Sequence, residues 1–259
     1  MIGKLRILWR APVLALVLVG ALVAATLGGL VASLCGLLSG RKGLANGWRA
    51  TVFRRASQAV AWTLGMKVHL EGKPPEPPFI LVSNHLSYVD VILIGSQVRC
   101  VFVSKAEVEG WPLIGAVVRS VGTVFLDRRA KRELPRMVRR IEEVLESGRG
   151  IVFFPEGTTG RGDCVAPFRP SLLALAAKTG RPVHYVTVSY RTRQPGPPAE
   201  RAICWWGEMK FTPHILQIMA MPGFEASVRF GEEPIHEADR KVLAGRLQDA
   251  VSQAFEAVV

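Results

Sequence analysis

The chain has 259 residues, 49% hydrophobic and 21% charged, with 33 Lys and Arg against 21 Asp and Glu for a formal net charge of +12. That length supports a core without staples, and that balance excludes a disordered chain. Cys35, Cys100, Cys164 and Cys204 are too dispersed for a disulfide-dense scaffold or a CxxC zinc site, so reduced, buried cysteines in a cytosol-facing domain are expected.

From Ala11 to Gly40 run thirty uncharged residues, bounded by Arg10 and Arg41. A bilayer is crossed by about 20 apolar residues, whereas the apolar region of a signal peptide has only about 7–15, so membrane insertion is expected. As one helix the stretch is roughly 45 Å long against a hydrocarbon core of ~30 Å. Gly28-Gly29 divides it into two shorter pieces, as a hinge or a shallow hairpin would. Lys4, Arg6 and Arg10 flank one side, and Arg41, Lys42, Arg49, Arg54 and Arg55 the other. A re-entrant hairpin keeps both basic clusters on the cytoplasmic face of the cell membrane, while a single tilted span is also compatible with the larger second cluster. Arg49, Arg54 and Arg55 would then meet anionic headgroups at about 1 kcal/mol each. Nucleic acid, the other usual partner of a basic chain, has no helix-turn-helix, zinc finger or aromatic RNA-binding signature to recognise it.

Beyond this segment, placed at residues 1–47, one domain is expected over residues 48–259. An amphipathic helix is predicted over Trp48–Leu64. Short apolar runs predict strands at Lys67–Leu70, Phe79–Ser83, Cys100–Ser104, Gly122–Leu126, Gly150–Phe154, Val183–Tyr190 and Ala226–Phe230. Helices are predicted at Tyr88–Gln97, Gly115–Ser120, Glu133–Ser147 and Ser171–Lys178, the third on the spacing of Leu134, Met137, Val138, Ile141, Val144 and Leu145. The alternation implies an α/β fold: a layered sheet of mostly apolar strands with helices on both faces, preceded by a membrane-inserted helix or helical hairpin. A Pro- and Gly-rich loop, Gln194–Ala199, precedes a second apolar segment.

Three strand ends carry candidate chemistry. After the Phe79–Ser83 strand comes Asn84-His85-Leu86-Ser87-Tyr88-Val89-Asp90. On one continuous helix, residues five apart such as His85 and Asp90 stand about 140° apart. They meet only if His85 lies in the turn before the helix and Asp90 in its first turn, which Ser87-x-x-Asp90, a capping-box-like start, supports. One reading is a His–carboxylate pair in which Asp90 sets the imidazole tautomer and His85 accepts a proton from a substrate hydroxyl, since no GxSxG elbow supplies a protein nucleophile. The other is a helix cap beside an ordinary loop histidine. Next, Thr123-Val124-Phe125-Leu126-Asp127-Arg128-Arg129 ends a strand in arginines able to fork onto phosphate, or simply solvated. Last, Phe153-Phe154-Pro155-Glu156-Gly157-Thr158-Thr159-Gly160 ends a strand in a turn that can present N–H groups, hydroxyls and a carboxylate. It has no P-loop lysine, and plain turn chemistry is the alternative.

Taken together and in this order, Asn84-His85 with Asp90 (an HX4D spacing), Phe125-Leu126-Asp127-Arg128 and Phe154-Pro155-Glu156-Gly157-Thr158 resemble the glycerolipid acyltransferase family, which includes the 1-acylglycerol-3-phosphate acyltransferases. The resemblance covers roughly residues 65–235 and includes Pro182-Val183. It implies that residues 48–259 are a catalytic domain in which His85 is the general base, oriented by Asp90. Asn84, Arg128, Glu156, Gly157, Thr158 and Thr159 would contact the substrate, Arg128 on the acceptor's phosphate. The implied reaction moves a fatty acyl group from acyl-CoA or acyl-carrier protein to the free hydroxyl of a lysolipid, giving phosphatidic acid from 1-acylglycerol-3-phosphate. A thioester is already activated, so no metal and no cofactor is expected. Thr159 stands where many phosphatidate-forming members have Arg, and Tyr185 stands where the fourth motif usually has a second proline. Arg161 and Arg169 could replace the missing charge. Alternatively, the acceptor is another lysolipid, because Phe154–Phe168 and Trp205-Trp206-Gly207-Glu208-Met209 are similar to bacterial members that act on lyso-ornithine lipid. A hydrolase, a non-catalytic membrane lipid-binding protein and a nucleic-acid binder are the competing classes. Trp205, Trp206 and the apolar Phe211–Met221 run are expected at the acyl groove or membrane surface, with burial in the core as the alternative.

Overall fold

The computed structural model describes residues 2–40, 43–126, 133–193 and 196–258, with the backbone alone at 126 and 133–137. In chain order the elements are α1 (Ile2–Val23), one π turn (Ala24–Gly28), α2 (Gly29–Ser39), α3 (Leu44–Leu64), β1 (Met66–Glu71), β2 (Ile80–Ser83), α4 (Val89–Gln97), β3 (Cys100–Lys105), α5 (Ile114–Ser120), β4 (Val124–Leu126), α6 (Glu133–Glu146), β5 (Gly150–Phe153), α7 (Ala174–Thr179), β6 (Val183–Thr192), α8 (Ala199–Ala202), α9 (Phe211–Ala220), β7 (Phe224–Phe230) and α10 (Arg240–Gln253).

The seven strands form one sheet in the order β1-β7-β6-β2-β5-β3-β4. Only the β6–β7 pair is antiparallel. Side chains alternate across β2, so Leu81 joins a core roofed by α3, α4 and α9. Ile80 and Val82 join the opposite core, beneath α6, α7 and α10. With both faces covered, the central strands are apolar throughout, which is why they are legible as short uninterrupted runs. All seven predicted strands form, each within a few residues of its expected bounds. The predicted Ser171–Lys178 helix begins as a 3-10 turn, Pro170–Leu173, before α7.

The N-terminal apolar stretch is one helix of 38 residues, Ile2–Ser39, long and apolar enough to cross a membrane. The chain does not reverse at Gly28-Gly29, as a hairpin within the stretch requires. Those glycines adjoin the π turn, where the freed Ala24 carbonyl accepts a hydrogen bond from Trp48 Nε1 at 2.7 Å and a Cβ at Gly28 would collide with the indole. Beyond α2, Gly40 and Gly43 are both at positive φ, and α3 packs back along α2 and α1. The hairpin is therefore α1–α2 against α3.

Both ends of this hairpin touch the same domain. At one end Arg10 Nη1 donates to the Met219 and Met221 carbonyls at 2.9 and 2.7 Å, and Arg6 Nη1 to the Ala220 carbonyl at 3.2 Å, closing the C-terminus of α9. At the other, a Cβ on Gly43 would sit 3.5 Å from the Ser147 carbonyl. Ile7, Ala11, Leu14 and Val17 face the core, while Leu5, Leu16, Val19, Leu27, Leu30, Leu34 and Leu38 form an exposed apolar face.

Candidate active site

His85 lies where β2, the middle strand, releases the chain into α4. Its Nδ1 is 2.8 Å from Asp90 Oδ2. That oxygen also accepts from the backbone N–H of Leu86 at 2.7 Å and of Ser87 at 3.0 Å, and Tyr190 Oη donates to Oδ1 at 2.6 Å. Asp90 is fully buried. A buried carboxylate is tolerated only when its lone pairs are taken up, and here four donors converge on two oxygens. The acidic partner fixes hydrogen on Nδ1, leaving Nε2 with a lone pair able to accept a proton. Half of the expected capping box forms: Asp90 reaches back to the Ser87 N–H, but Ser87 Oγ is buried without a partner.

The third segment holds the histidine in place. Its ring stacks on Phe154 with centroids 3.8 Å apart and planes 10° apart. Its N–H donates to Glu156 Oε1 at 2.7 Å and its carbonyl accepts from Gly160 N–H at 2.8 Å. Glu156 Oε2 accepts from Ala166 N–H at 3.2 Å. Burial pushes the Glu156 carboxyl up to about 8, against the opposing pull of its two N–H donors, and the nearby Asp90 charge adds to the rise. On the other side, Asn84 joins β2 to β6, donating to the Val188 carbonyl at 2.9 Å and accepting from its N–H at 2.8 Å. Among the described residues, no group of three His, Cys, Asp or Glu is placed to hold a metal ion.

A buried, hydrogen-bonded carboxylate behind a half-exposed imidazole, at the C-terminal end of a central parallel strand, is a proton-accepting site at the customary place in an α/β sheet. Comparison with known proteins gives this geometry a family. A family model described as Acyltransferase matches residues 65–191. The lyso-ornithine lipid O-acyltransferase of Brucella abortus is 30% identical over 231 residues, covering 83% of this chain and 86% of the relative. The chain belongs to the acyltransferase family. A 1-acyl-sn-glycerol-3-phosphate acyltransferase of Neisseria meningitidis is 28% identical, covering 78% of this acyltransferase and 84% of the relative. The crystal structure of the Thermotoga maritima 1-acyl-sn-glycerophosphate acyltransferase shares the fold, with a TM-score of 0.64, 23% identity and 97% of each chain covered. With its exposed apolar helix, the acyltransferase is membrane-associated.

The predicted residues divide by placement. His85 and Asp90 meet. Glu156 and Gly157 are buried beside them, whereas Thr158 is exposed and Thr159 half-buried. Asn84, read as a substrate contact, is fully buried with both ends of its amide committed to Val188, and Glu156 has both oxygens on backbone N–H groups. Their geometry is that of positioning residues. Arg128 lies outside the described residues. Arg161, offered as a replacement charge, is paired with Glu200 at 2.6 Å and lies over Trp206, while Arg169 is exposed. Cys100 and Cys204 are buried as expected, but Cys35 and Cys164 are exposed.

Trp205 and Trp206 are neither core nor free surface. Each is half-buried, with its N–H on the Met209 or Glu200 carbonyl. Trp205 packs edge-on against Tyr88 and Trp111, in the turn beside His85. The Phe211–Met221 run is chiefly α9, whose Ile218 and Met219 enter the core while Leu216 is exposed. Sequence reasoning missed Tyr190 and the ring-stacking role of Phe154. Tyr190 sits in an apolar strand 100 residues from Asp90, with no local signal.

Proposed function

We propose that this acyltransferase moves a fatty acyl group from an acyl thioester, acyl-CoA or acyl-carrier protein, to the free hydroxyl of a lysolipid. The observation that carries this reading is the His85–Asp90 pair, with Nδ1 2.8 Å from the buried carboxylate. His85 Nε2 takes the hydroxyl proton as the lipid oxygen attacks the thioester carbonyl. The C–S bond then breaks, and the leaving thiolate takes the proton back from the imidazolium. General-base help of this kind contributes about 10²–10⁴-fold. No metal, cofactor or covalent enzyme intermediate is required, because the thioester is already activated. His85 is the catalytic base. Asp90, Tyr190, Glu156 and Asn84 position it, and Thr158, Thr159 and Arg128 belong to the acceptor side.

Lyso-ornithine lipid is the acceptor favoured by Thr159, by the engagement of Arg161 with Glu200, and by the activity named for the Brucella relative. The second reading, 1-acylglycerol-3-phosphate, is favoured by the activity named for the Neisseria relative. The acyltransferase rests on the cytoplasmic leaflet with the outer face of α1–α2 in the hydrocarbon. Residues 1–47 supply most of that contact, and residues 48–259 carry the catalytic domain. The hairpin is held to the domain at Arg10 and again near Gly43, which favours this placement over a single crossing.

The test is thiol release and product mass from detergent-purified protein given palmitoyl-CoA or palmitoyl-carrier protein with each acceptor, beside His85→Ala. Diacyl product from wild type alone supports the reading and names the acceptor. Thiol release without diacyl product makes the protein a hydrolase, and no turnover with either donor overturns both.

A further inference from the structure

Two segments bond to the backbone carbonyls of the turn that carries His85. Gly160 N–H donates to the His85 carbonyl and Trp205 N–H to the Leu86 carbonyl, both at 2.8 Å. The two segments also pack on each other, since a Cβ on Gly162 would lie 3.1 Å from Cys204 Sγ. One residue beyond each anchor, a second link joins them. Arg161 Nε donates to Glu200 Oε1 at 2.6 Å, and the guanidinium lies 5.5 Å from the centroid of the Trp206 ring. Trp206 Nε1 in turn donates to the Glu200 carbonyl at 3.1 Å. The Arg161–Glu200 pair is thereby tied to the His85 turn by short stretches of backbone on both sides. The Cys204 thiol lies between the two acids: burial pushes it up first, and the charges of Asp90 and Glu200 add to the rise.

An ion pair on an open surface contributes little to stability. This one is lopsided: the Glu200 side chain is 15% exposed and that of Arg161 57%. Among the described residues, Nε is the engaged donor of Arg161 and Oε1 the engaged oxygen of Glu200. The two Nη groups and Oε2 are left for a ligand. Guanidinium N–H groups fork onto a carboxylate or a phosphate, and a carboxylate oxygen accepts from an ammonium. The exposed Thr158 and the half-buried Thr159 add hydroxyls just before Arg161. The pair itself sums to no net charge. A phosphate monoester, with a charge of about −1.5 to −2, meets a cation already neutralised by its partner. An amino-acid headgroup, with one carboxylate and one ammonium, finds a partner for each.

We propose that Arg161 and Glu200 read the acceptor's headgroup, Arg161 taking a carboxylate and Glu200 an ammonium, so that a zwitterionic amino-acid lysolipid is selected over a phosphate monoester. The proposal rests on the reading of His85 as the base for a lysolipid hydroxyl. It gives the choice of acceptor to two residues 39 positions apart, one of which, Glu200, belongs to none of the three strand-end segments.

The test measures kcat and KM for lyso-ornithine lipid and for 1-acylglycerol-3-phosphate, with whichever palmitoyl thioester wild type accepts. The variants are Glu200→Gln, Arg161→Gln, Arg161→Lys and, as a control on the exposed face of α6, Arg140→Gln. Wild type and the control are expected to favour lyso-ornithine lipid. Glu200→Gln removes the partner of the ammonium and frees Arg161, so the ratio of kcat/KM values should move about tenfold toward the phosphate acceptor. Arg161→Gln should raise KM for lyso-ornithine lipid by about tenfold with kcat retained, and Arg161→Lys should recover part of that loss. A link that only holds the fold together would lower the thermal midpoint and act on both acceptors alike, which overturns the proposal. A wild type that favours the phosphate acceptor overturns it as well. If Glu200→Gln does not fold, the Arg161 variants decide, and an unchanged KM for lyso-ornithine lipid is then the overturning result. Acyl transfer with an unmoved ratio overturns this proposal alone, whereas no transfer by wild type to either acceptor overturns the reading of His85 and this one with it.

Discussion

The two ends of the sheet treat buried charge in opposite ways. At the C-terminal end, Asp90 and Glu156 are surrounded by donors: three N–H or O–H groups and the imidazole on one, two backbone N–H groups on the other. At the N-terminal end, Arg149 Nε has a single hydroxyl, Ser147 Oγ, as its partner, and Arg49 Nε is buried with none. The first arrangement spends its charge inside the protein and fixes one side chain in one orientation. The second leaves its charge less completely satisfied. A site that must hold a base still thus satisfies its ionic groups beforehand more fully than a junction without that task.

The largest expected effect falls on the satisfied end. His85→Ala is expected to lower turnover by about 10²–10⁴-fold, because it removes the proton acceptor while leaving the carboxylate network in place. Steady-state kinetics beside a thermal melt would check this, and an active His85→Ala would end the comparison.

Glu156→Ala is next. It strands the N–H groups of His85 and Ala166, at a cost of about 1–3 kcal/mol each, read from denaturant unfolding. It should also change the pH dependence of stability. With the folded carboxyl at about 8 and its ordinary value 4.5, the folded state binds the extra proton between these limits. The contribution is full below 4.5 and declines as pH rises through about 8, so the wild-type stability should slope downward across that window. The variant should lack that component of the slope, and an unchanged slope would contradict the buried, protonated carboxyl.

Tyr190→Phe sharpens the comparison by removing one donor from Asp90 while keeping the ring. Turnover is expected to fall, because the carboxylate that orients His85 loses a hydrogen bond to a charged group, a kind that contributes about 1.5–3 kcal/mol. A packing role alone would lower the thermal midpoint and leave turnover unmoved. The smallest effect concerns the hairpin that carries Arg49. Trp48→Phe loses the indole bond to Ala24 at the π turn, at about 0.5–1.5 kcal/mol, measured by a melt in detergent.

Much of the site was legible because it is local. His85 and Asp90 share one strand-to-helix turn, and the spacing predicts their meeting. The segment from Phe154 to Gly160 was legible as a strand end, but its function was not: a Gly-rich turn offers the same groups whether they face a substrate or, as here, the His85 backbone. At Gly28-Gly29 a hinge and a hairpin reversal stayed open, because two adjacent glycines look alike whether they break a helix or make room for a tryptophan. Helix α10 was overlooked, although Asp239 caps it by accepting from Lys241 and Val242 N–H and Leu243, Leu247 and Val251 bury one stripe. Its polar remainder hid a pattern that a longer window would have caught.

By itself the sequence determined what depends on neighbours along the chain: seven apolar strands, the strand-end turns, a His–Asp pair five residues apart and an N-terminal helix too apolar to stand alone in water. Only the tertiary structure decided which of these ends meet. Placing β2 between β5 and β6 brings Glu156 to His85 and Tyr190 to Asp90, and packing α3 at the far end of the sheet brings Gly43 to the Ser147 carbonyl. Each of those contacts joins residues about 70 or 100 positions apart, and their side chains carry no local mark of one another. Burial and strand order create them, and both are properties of the packed sheet rather than of any segment within it.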